Sequence, residues 1–250
     1  MAATFIKVGE PAHDAERQAL RFIVEGLPET YVVYGNPWIV DHGSVFELDA
    51  VVVAPHAIYV VELKAYRGDI GGNDNDWYVP QPIRSPLKLN RRTAQVLGSL
   101  LKSRSVEAAR PFVEGFVFLS HANSARVVGP ASQERVHTRR TILAGLQDAA
   151  GLQRREGRKP PVDEHSQKYL HELLTGTDPA HKPPRLIREW QIEASIDRAD
   201  RYVELFATHR ITNQHAVLRV YDVPALDDDG SRKRAEELFR WEAQVLRRIG

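Results

Sequence analysis

Four charged side chains stand in the stretch FELDAVVVAPHAIYVVELK, residues 46–64: Glu47, Asp49, Glu62 and Lys64. Most of what surrounds them is apolar and rich in valine, and charged groups rarely enter such surroundings without a partner or a metal. Residues two apart on a strand share a face, so Glu47 projects with Asp49, and Glu62 with Lys64. If residues 45–54 and 57–64 pair as a hairpin about Pro55-His56, these groups converge near the strand ends. Carboxylates at close range repel one another. The usual remedy is a hard divalent cation held by one or two of them, by waters and by phosphate oxygens. A lysine beside such a cation steadies an attacking water and the charge developing on phosphate. The chemistry that these residues suit is hydrolysis of a phosphodiester. On spacing alone a second reading stands level with it: solvent-facing charges paired across the hairpin, worth a few tenths of a kcal/mol each.

The elements that must position these groups are legible from pattern. Residues 13–25 (HDAERQALRFIVE) read as an amphipathic helix with Ala15, Ala19, Phe22 and Ile23 on one face, stopped by Gly26-Leu27-Pro28. A short strand at 31–34 precedes an Asn36-Pro37 turn. The two strands at 45–54 and 57–64 carry unbroken valine runs, which suit central strands covered on both faces. Gly68, Gly71 and Gly72 predict a loop leading to Trp77 and Tyr78. A helix is expected at 88–104 and a strand at 113–119, with loop and helices over 127–175. Residues 176–185 (GTDPAHKPPR) read as a linker between a first domain, 1–175, and a second, 186–250. The second has β-rich texture, then an acidic DDDG turn, then a helix from Ser231 onward. At about 65 residues it is thin for a free-standing domain, which predicts a piece of a longer protein.

Composition narrows the classes. The chain of 250 residues has a net charge of +1, so any nucleic-acid surface must be local. No apolar run approaches the roughly 20 residues that span a membrane. Without a cysteine there is no disulfide and no thiolate metal site, which fits a cytoplasmic location. The ten histidines lack metal-ligand spacing, and surface or structural roles are expected for His121, His137, His165 and His171. Neither a serine nucleophile elbow nor a phosphate-binding Walker loop is present.

Asp49, then thirteen positions on Glu62-Leu63-Lys64, resembles the D…ExK signature of the PD-(D/E)xK nuclease superfamily. More narrowly, residues 10 to about 120 resemble the NERD (nuclease-related) domain. The matching pieces are Ala15-Glu16, Glu47-Leu48-Asp49, Val61 to Lys64, Tyr66 to Ile70, Trp77 and Ser85-Pro86-Leu87. The resemblance implies an α/β fold: a mixed central sheet flanked by helices, the restriction-endonuclease-like core. It implies Asp49 and Glu62 as ligands of Mg²⁺ or Mn²⁺, with Glu47 as an added ligand. By the same resemblance Lys64 is the catalytic lysine and Glu16 an acidic contributor from the first helix. Three positions depart from the family pattern: Ala15 replaces a glycine, Ala65 a polar residue, and Leu89 a glutamine. The expected partner is nucleic acid, DNA before RNA, and the phosphate-facing candidates are Arg67, Arg84, Lys88, Arg91 and Arg92. A module that binds nucleic acid or partner proteins without cutting is the alternative. Spacing does not fix the oligomeric state.

Residues 186–250 resemble the opening of a protein-kinase N-lobe, a small α+β unit. Ala216-Val217-Leu218-Arg219 stands where kinases carry V-A-I-K, and Glu242 is the expected helix partner of Arg219. Arginine is a poor substitute for a lysine that contacts phosphate, and the glycine-rich loop, catalytic loop and DFG motif are missing. Kinase activity is not expected of this chain. NERD followed by kinase-like sequence is similar to the large NERD–kinase proteins of bacterial phage-exclusion systems (phage growth limitation and BREX-type). That implies a place in antiphage defence, with other defence proteins as partners.

Overall fold

The computed structural model describes residues 2–41, 44–79, 81–106, 108–130, 132, 134–176, 186–187, 189–198 and 202–221. The chain divides into two compact units, Met1–Lys182 and Pro183–Gly250.

The first unit is built on one mixed sheet. Strands β1 (Thr4–Lys7), β2 (Val32–Gly35), β5 (Ala50–Ala54) and β6 (Ala57–Asn73) run across it in that order. β9 (Phe112–Val128) lies parallel to β6 on its other edge, and β10 (Val136–Thr138) lies parallel to β9. Strands β5 and β6 form the antiparallel hairpin that the sequence predicts, with Ala54 opposite Ala57 across Pro55-His56. All five residues of β5 are buried, as expected of a strand covered on both faces.

Helices cover the two faces. Helix α1 (Asp14–Gly26), with α3 (Ile142–Gln147) and α4 (Ala149–Glu156), packs against Val33, Val52, Tyr59, Val61 and Phe116. Helices α2 (Pro86–Arg104) and α5 (Glu164–Thr175) close the other face over Val51, Val53, Ile58 and Val60. Each buried Val or Ile contributes roughly 1.5–3 kcal/mol over exposure. Helix α2 starts at Pro86 because Ser85 caps it, its hydroxyl accepting from the Leu87 N–H at 3.3 Å.

Three expectations are corrected. The run 45–54 is two strands, because it breaks at Leu48-Asp49; β4 (Ser44–Glu47) pairs instead with β3 (Trp38–Asp41) in a separate ribbon. The glycine-bearing segment 68–72 is strand rather than loop, since β6 runs on to Asn73. There β7 (Asp76–Val79) and β8 (Gln81–Arg84) add to the edge of β6 that β5 has left. Gly72 is glycine for a reason of space: at φ +137°, a Cβ there would meet the Asp76 carbonyl oxygen. Finally, residues 136–138, read as loop, form β10.

The second unit, by itself, is an antiparallel sheet in the order β11 (Leu186–Ile187), β12 (Trp190–Arg198), β13 (Tyr202–His209), β14 (His215–Tyr221). Arg219 lies on β14 in register with Glu204. The expected linker beyond Gly176, the acidic turn, the final helix and Glu242 lie outside the described residues.

One buried amide locks the crossover between β6 and β9. Asn90, 1 % exposed on α2, donates to the Val60 carbonyl at 3.0 Å and the Phe116 carbonyl at 2.7 Å. Replacing it with alanine strands two buried acceptors, so Asn90→Ala is expected to cost about 1–3 kcal/mol or somewhat more, read as a lowered urea midpoint.

Candidate active site

The β5–β6 register runs from Ala54↔Ala57 back to Ala50↔Val61. Carried one step further it sets Asp49 opposite Glu62, which is why thirteen positions separate them. Neighbours directly opposite on antiparallel strands share a face, so their side chains emerge together at the open end of the hairpin. The Asp49 carboxylate is tied there: its Oδ2 accepts from the Leu63 N–H at 2.7 Å. Lys64 Nζ lies 2.5 Å from Glu62 Oε1, with the two side chains 28 % and 21 % exposed. The pair is thus reachable from solvent without being fully solvated.

Glu16 reaches the site from another element. It sits in the first turn of α1, where a carboxylate complements the helix dipole. Its Oε2 accepts from the Ala12 N–H at 2.9 Å, and its Oε1 from the Asn36 side-chain amide. Asn36, which the sequence did not single out, organises this end of the site. It has φ +53°, a left-handed conformation that asparagine tolerates. Its own N–H donates to the Asp49 carbonyl at 3.0 Å, while the Leu48 N–H donates to the Pro37 carbonyl at 2.9 Å. One residue therefore links the Glu16 carboxylate to the backbone of Asp49. The only signal for it was the Asn-Pro pair, which announced a turn and nothing more.

Glu47 does not share a strand with Asp49, and its place is beside the site. It is exposed on β4, opposite Trp38, and lines a cavity of about 250 Å³ with Glu10, Glu16, Asn36, Trp38 and Asp49. Four carboxylates bound that cavity, a surrounding that repels phosphate unless a cation intervenes. Burial pushes the Asp49 carboxyl up to about 7, and the charge of Glu62 adds to the push; Lys64 and the Leu63 N–H pull the other way. Burial disfavours the Lys64 ammonium, but Glu62 and Asp49 outweigh it and the net pKa rises. Lys64 is therefore charged at neutral pH. Among the described residues, no three His, Asp or Glu side chains are gathered into a ready-made metal shell. The oxygen donors of Asp49 and Glu62 still suit Mg²⁺ or Mn²⁺, which one or two carboxylates and several waters can hold.

The basic candidates do not form one patch. Arg67 is exposed on β6, and Arg84 ends β8. Lys88 and Arg92 lie one turn apart on the solvent side of α2, away from buried Asn90. Arg91 lines a different cavity, with Glu114, Arg135, Glu156 and Lys159. Two of the histidines have polar partners: His171 Nδ1 is 3.2 Å from the Tyr34 hydroxyl and His165 Nε2 is 3.2 Å from Ser105 Oγ.

The family model of the nuclease-related domain, NERD, matches residues 11–120, the segment that carries Glu16, Asp49, Glu62 and Lys64. Over 261 aligned residues the chain is 27% identical to the protein named Probable kinase PglW of Streptomyces coelicolor. That match takes in 98% of this chain and 16% of the longer protein. No solved structure matches the chain. No helix among the described residues is long and apolar enough to cross a membrane.

The raised Asp49 carboxyl has a thermodynamic consequence. Between its usual value of 3.8 and about 7, the folded chain keeps a proton that the unfolded chain has lost. Stability therefore falls as pH rises through that window, and the loss is complete above it. Urea denaturation in the presence of a chelator is expected to show this decline between about pH 4 and about pH 7, and Asp49→Asn is expected to flatten it.

Proposed function

We propose that the first unit is a metal-dependent nuclease that hydrolyses nucleic-acid phosphodiesters. One observation carries this reading: Asp49, opposite Glu62 and tied to the Leu63 N–H, shares the open end of the hairpin with the charged Lys64. Asp49 and Glu62 would hold one Mg²⁺ or Mn²⁺. Bound there, the cation would supply Lewis-acid polarisation of a phosphoryl oxygen and a more acidic water. Lys64 Nζ would donate hydrogen bonds to the attacking water or to a non-bridging oxygen, offsetting charge that appears in the transition state. Glu16, held by Asn36, would complete the acidic wall. Glu47 is the outlying ligand candidate. Arg67, Arg84, Lys88, Arg91 and Arg92 would serve as separate phosphate contacts.

The match of residues 11–120 to the nuclease-related model supports the nuclease class. Similarity to PglW through 98% of the chain supports a place in bacterial antiphage defence. A cytoplasmic location and other defence proteins as partners are part of the same proposal. The second unit is proposed as kinase-like without phosphotransfer, with Arg219 and Glu242 as its pair. The second reading is a module that binds nucleic acid or partner proteins without cutting.

Wild-type chain with Mg²⁺ or Mn²⁺ is expected to nick or cut DNA. Asp49→Ala and Lys64→Ala should each lower the rate by about 100-fold or more while melting cooperatively. A wild type that cuts no form of DNA or RNA would leave the binding reading in its place. Mn²⁺ must also displace the Asp49 proton, so it should raise the melting temperature more at about pH 8 than at about pH 5.

A further inference from the structure

Beyond Leu63 one face of the sheet loses its helical cover. On β6 exposure alternates: Ala65, Arg67 and Asp69 are exposed, whereas Ile70 is fully buried. The buried side rests on Trp77, Leu87 and Val127. The opposite side faces solvent, and four strands contribute to it in a single row. Arg126 on β9 is in register with Gly71 on β6, Gly71 with Tyr78 on β7, and Tyr78 with Pro82 on β8.

The middle of that row is an unusual surface. Tyr78 is 59% exposed, although a tyrosine ring is large and largely apolar. Gly71 beside it has no side chain, and a Cβ built there meets nothing within 4 Å. A flat strip of backbone thus lies between an aromatic ring and a guanidinium. Arg67, Arg84 and Arg126 are all exposed on this side, and they outnumber its carboxylates, Asp69 and Asp76. Asp69 accepts from the Ser124 hydroxyl at 2.6 Å, and Asp76 stands in register with Arg84. Exposed rings with cations alongside are the chemistry that holds single-stranded nucleic acid: bases stack, and phosphates meet the cations. The same strand serves both places, since β6 carries Glu62 and Lys64 before it carries Arg67 and Gly71. Gly71 follows Lys64 by roughly 23 Å of strand at about 3.3 Å per residue.

We infer that this open face of β6, β7, β8 and β9 binds single-stranded DNA, a base stacking on Tyr78 over Gly71 and the backbone meeting Arg67 and Arg126. The inference rests on the reading that the chain acts on nucleic acid, but it requires no cleavage.

The test is fluorescence anisotropy of labelled oligodeoxythymidylate with the full chain and a chelator, so that no metal-dependent step enters. Tyr78→Ala is expected to weaken binding about tenfold, and Tyr78→Trp to retain it. Gly71→Gln fills the strip without a backbone or packing penalty and is expected to weaken binding as much. Arg67→Gln with Arg126→Gln should lower the salt dependence of the affinity. If the two Tyr78 variants and Gly71→Gln bind as the wild type does, the face is not the site and the inference fails. It fails also if the matched RNA binds and the DNA does not. Loss of cutting with this binding intact would count against the nuclease reading alone.

Discussion

The candidate site depends on one hydrogen bond, from the Leu63 N–H to the Asp49 carboxylate. At the open end of a hairpin the backbone ladder has run out, and both strands are free to diverge. A side chain that reaches across and takes the next N–H continues the ladder by one rung. That fixes the carboxylate against the Glu62-Leu63-Lys64 backbone, and it holds one acidic group where burial, and after it the charge of Glu62, makes its own charge costly. The arrangement stores electrostatic repulsion in a place that packing would not tolerate deeper in the sheet. The valine runs of β5 and β6 are what keep the hairpin rigid enough to maintain it.

Support for that end of the hairpin comes from elements that share no strand with it. Asn36 at the β2–β3 corner holds both the Asp49 carbonyl and the Glu16 side chain. Asn90 on α2 holds β6 to β9 from the opposite face. Each is a buried or half-buried amide, and amides offer directional donors without adding charge to a region already rich in carboxylates. Both are positioning residues, and neither belongs to the acidic constellation itself.

Much of the hairpin was legible in the sequence, because a two-residue turn and a gap of thirteen leave little choice of register. The helix positions of α1 and α2 also follow from apolar periodicity, and Asn90 falls on the buried stripe of Leu87, Ala94, Leu97 and Leu101. That spacing could have flagged it. The break at Leu48-Asp49 was not legible, since nothing polar enough to end a strand precedes Asp49 except Glu47, which reads as a strand charge. The glycines misled for a physical reason. Gly68 and Gly72 have positive φ, at 81° and 137°, inside a strand that bulges and receives a new neighbour rather than ending. Glycine marks unusual backbone, and sequence alone does not say whether that backbone is loop or sheet. Contacts between distant segments, such as Asn36 with Glu16, are set by tertiary packing and have no local signature.

The length of β6 has a consequence for how this chain can vary. Its 17 residues form a single strand that passes from the acidic hairpin to the open face. Inner and outer sides alternate along it with a period of two, interrupted by irregularities between Lys64 and Arg67 and between Gly68 and Asp69. A single residue inserted or deleted between Lys64 and Gly71 would therefore turn everything beyond it over unless a bulge took it up, placing Ile70 in solvent. Only changes of two residues, or of one absorbed by a bulge in β6 or β9, leave both sides intact. The spacing between the two ends of β6 can thus change in steps of two, or of one where a bulge takes up the residue.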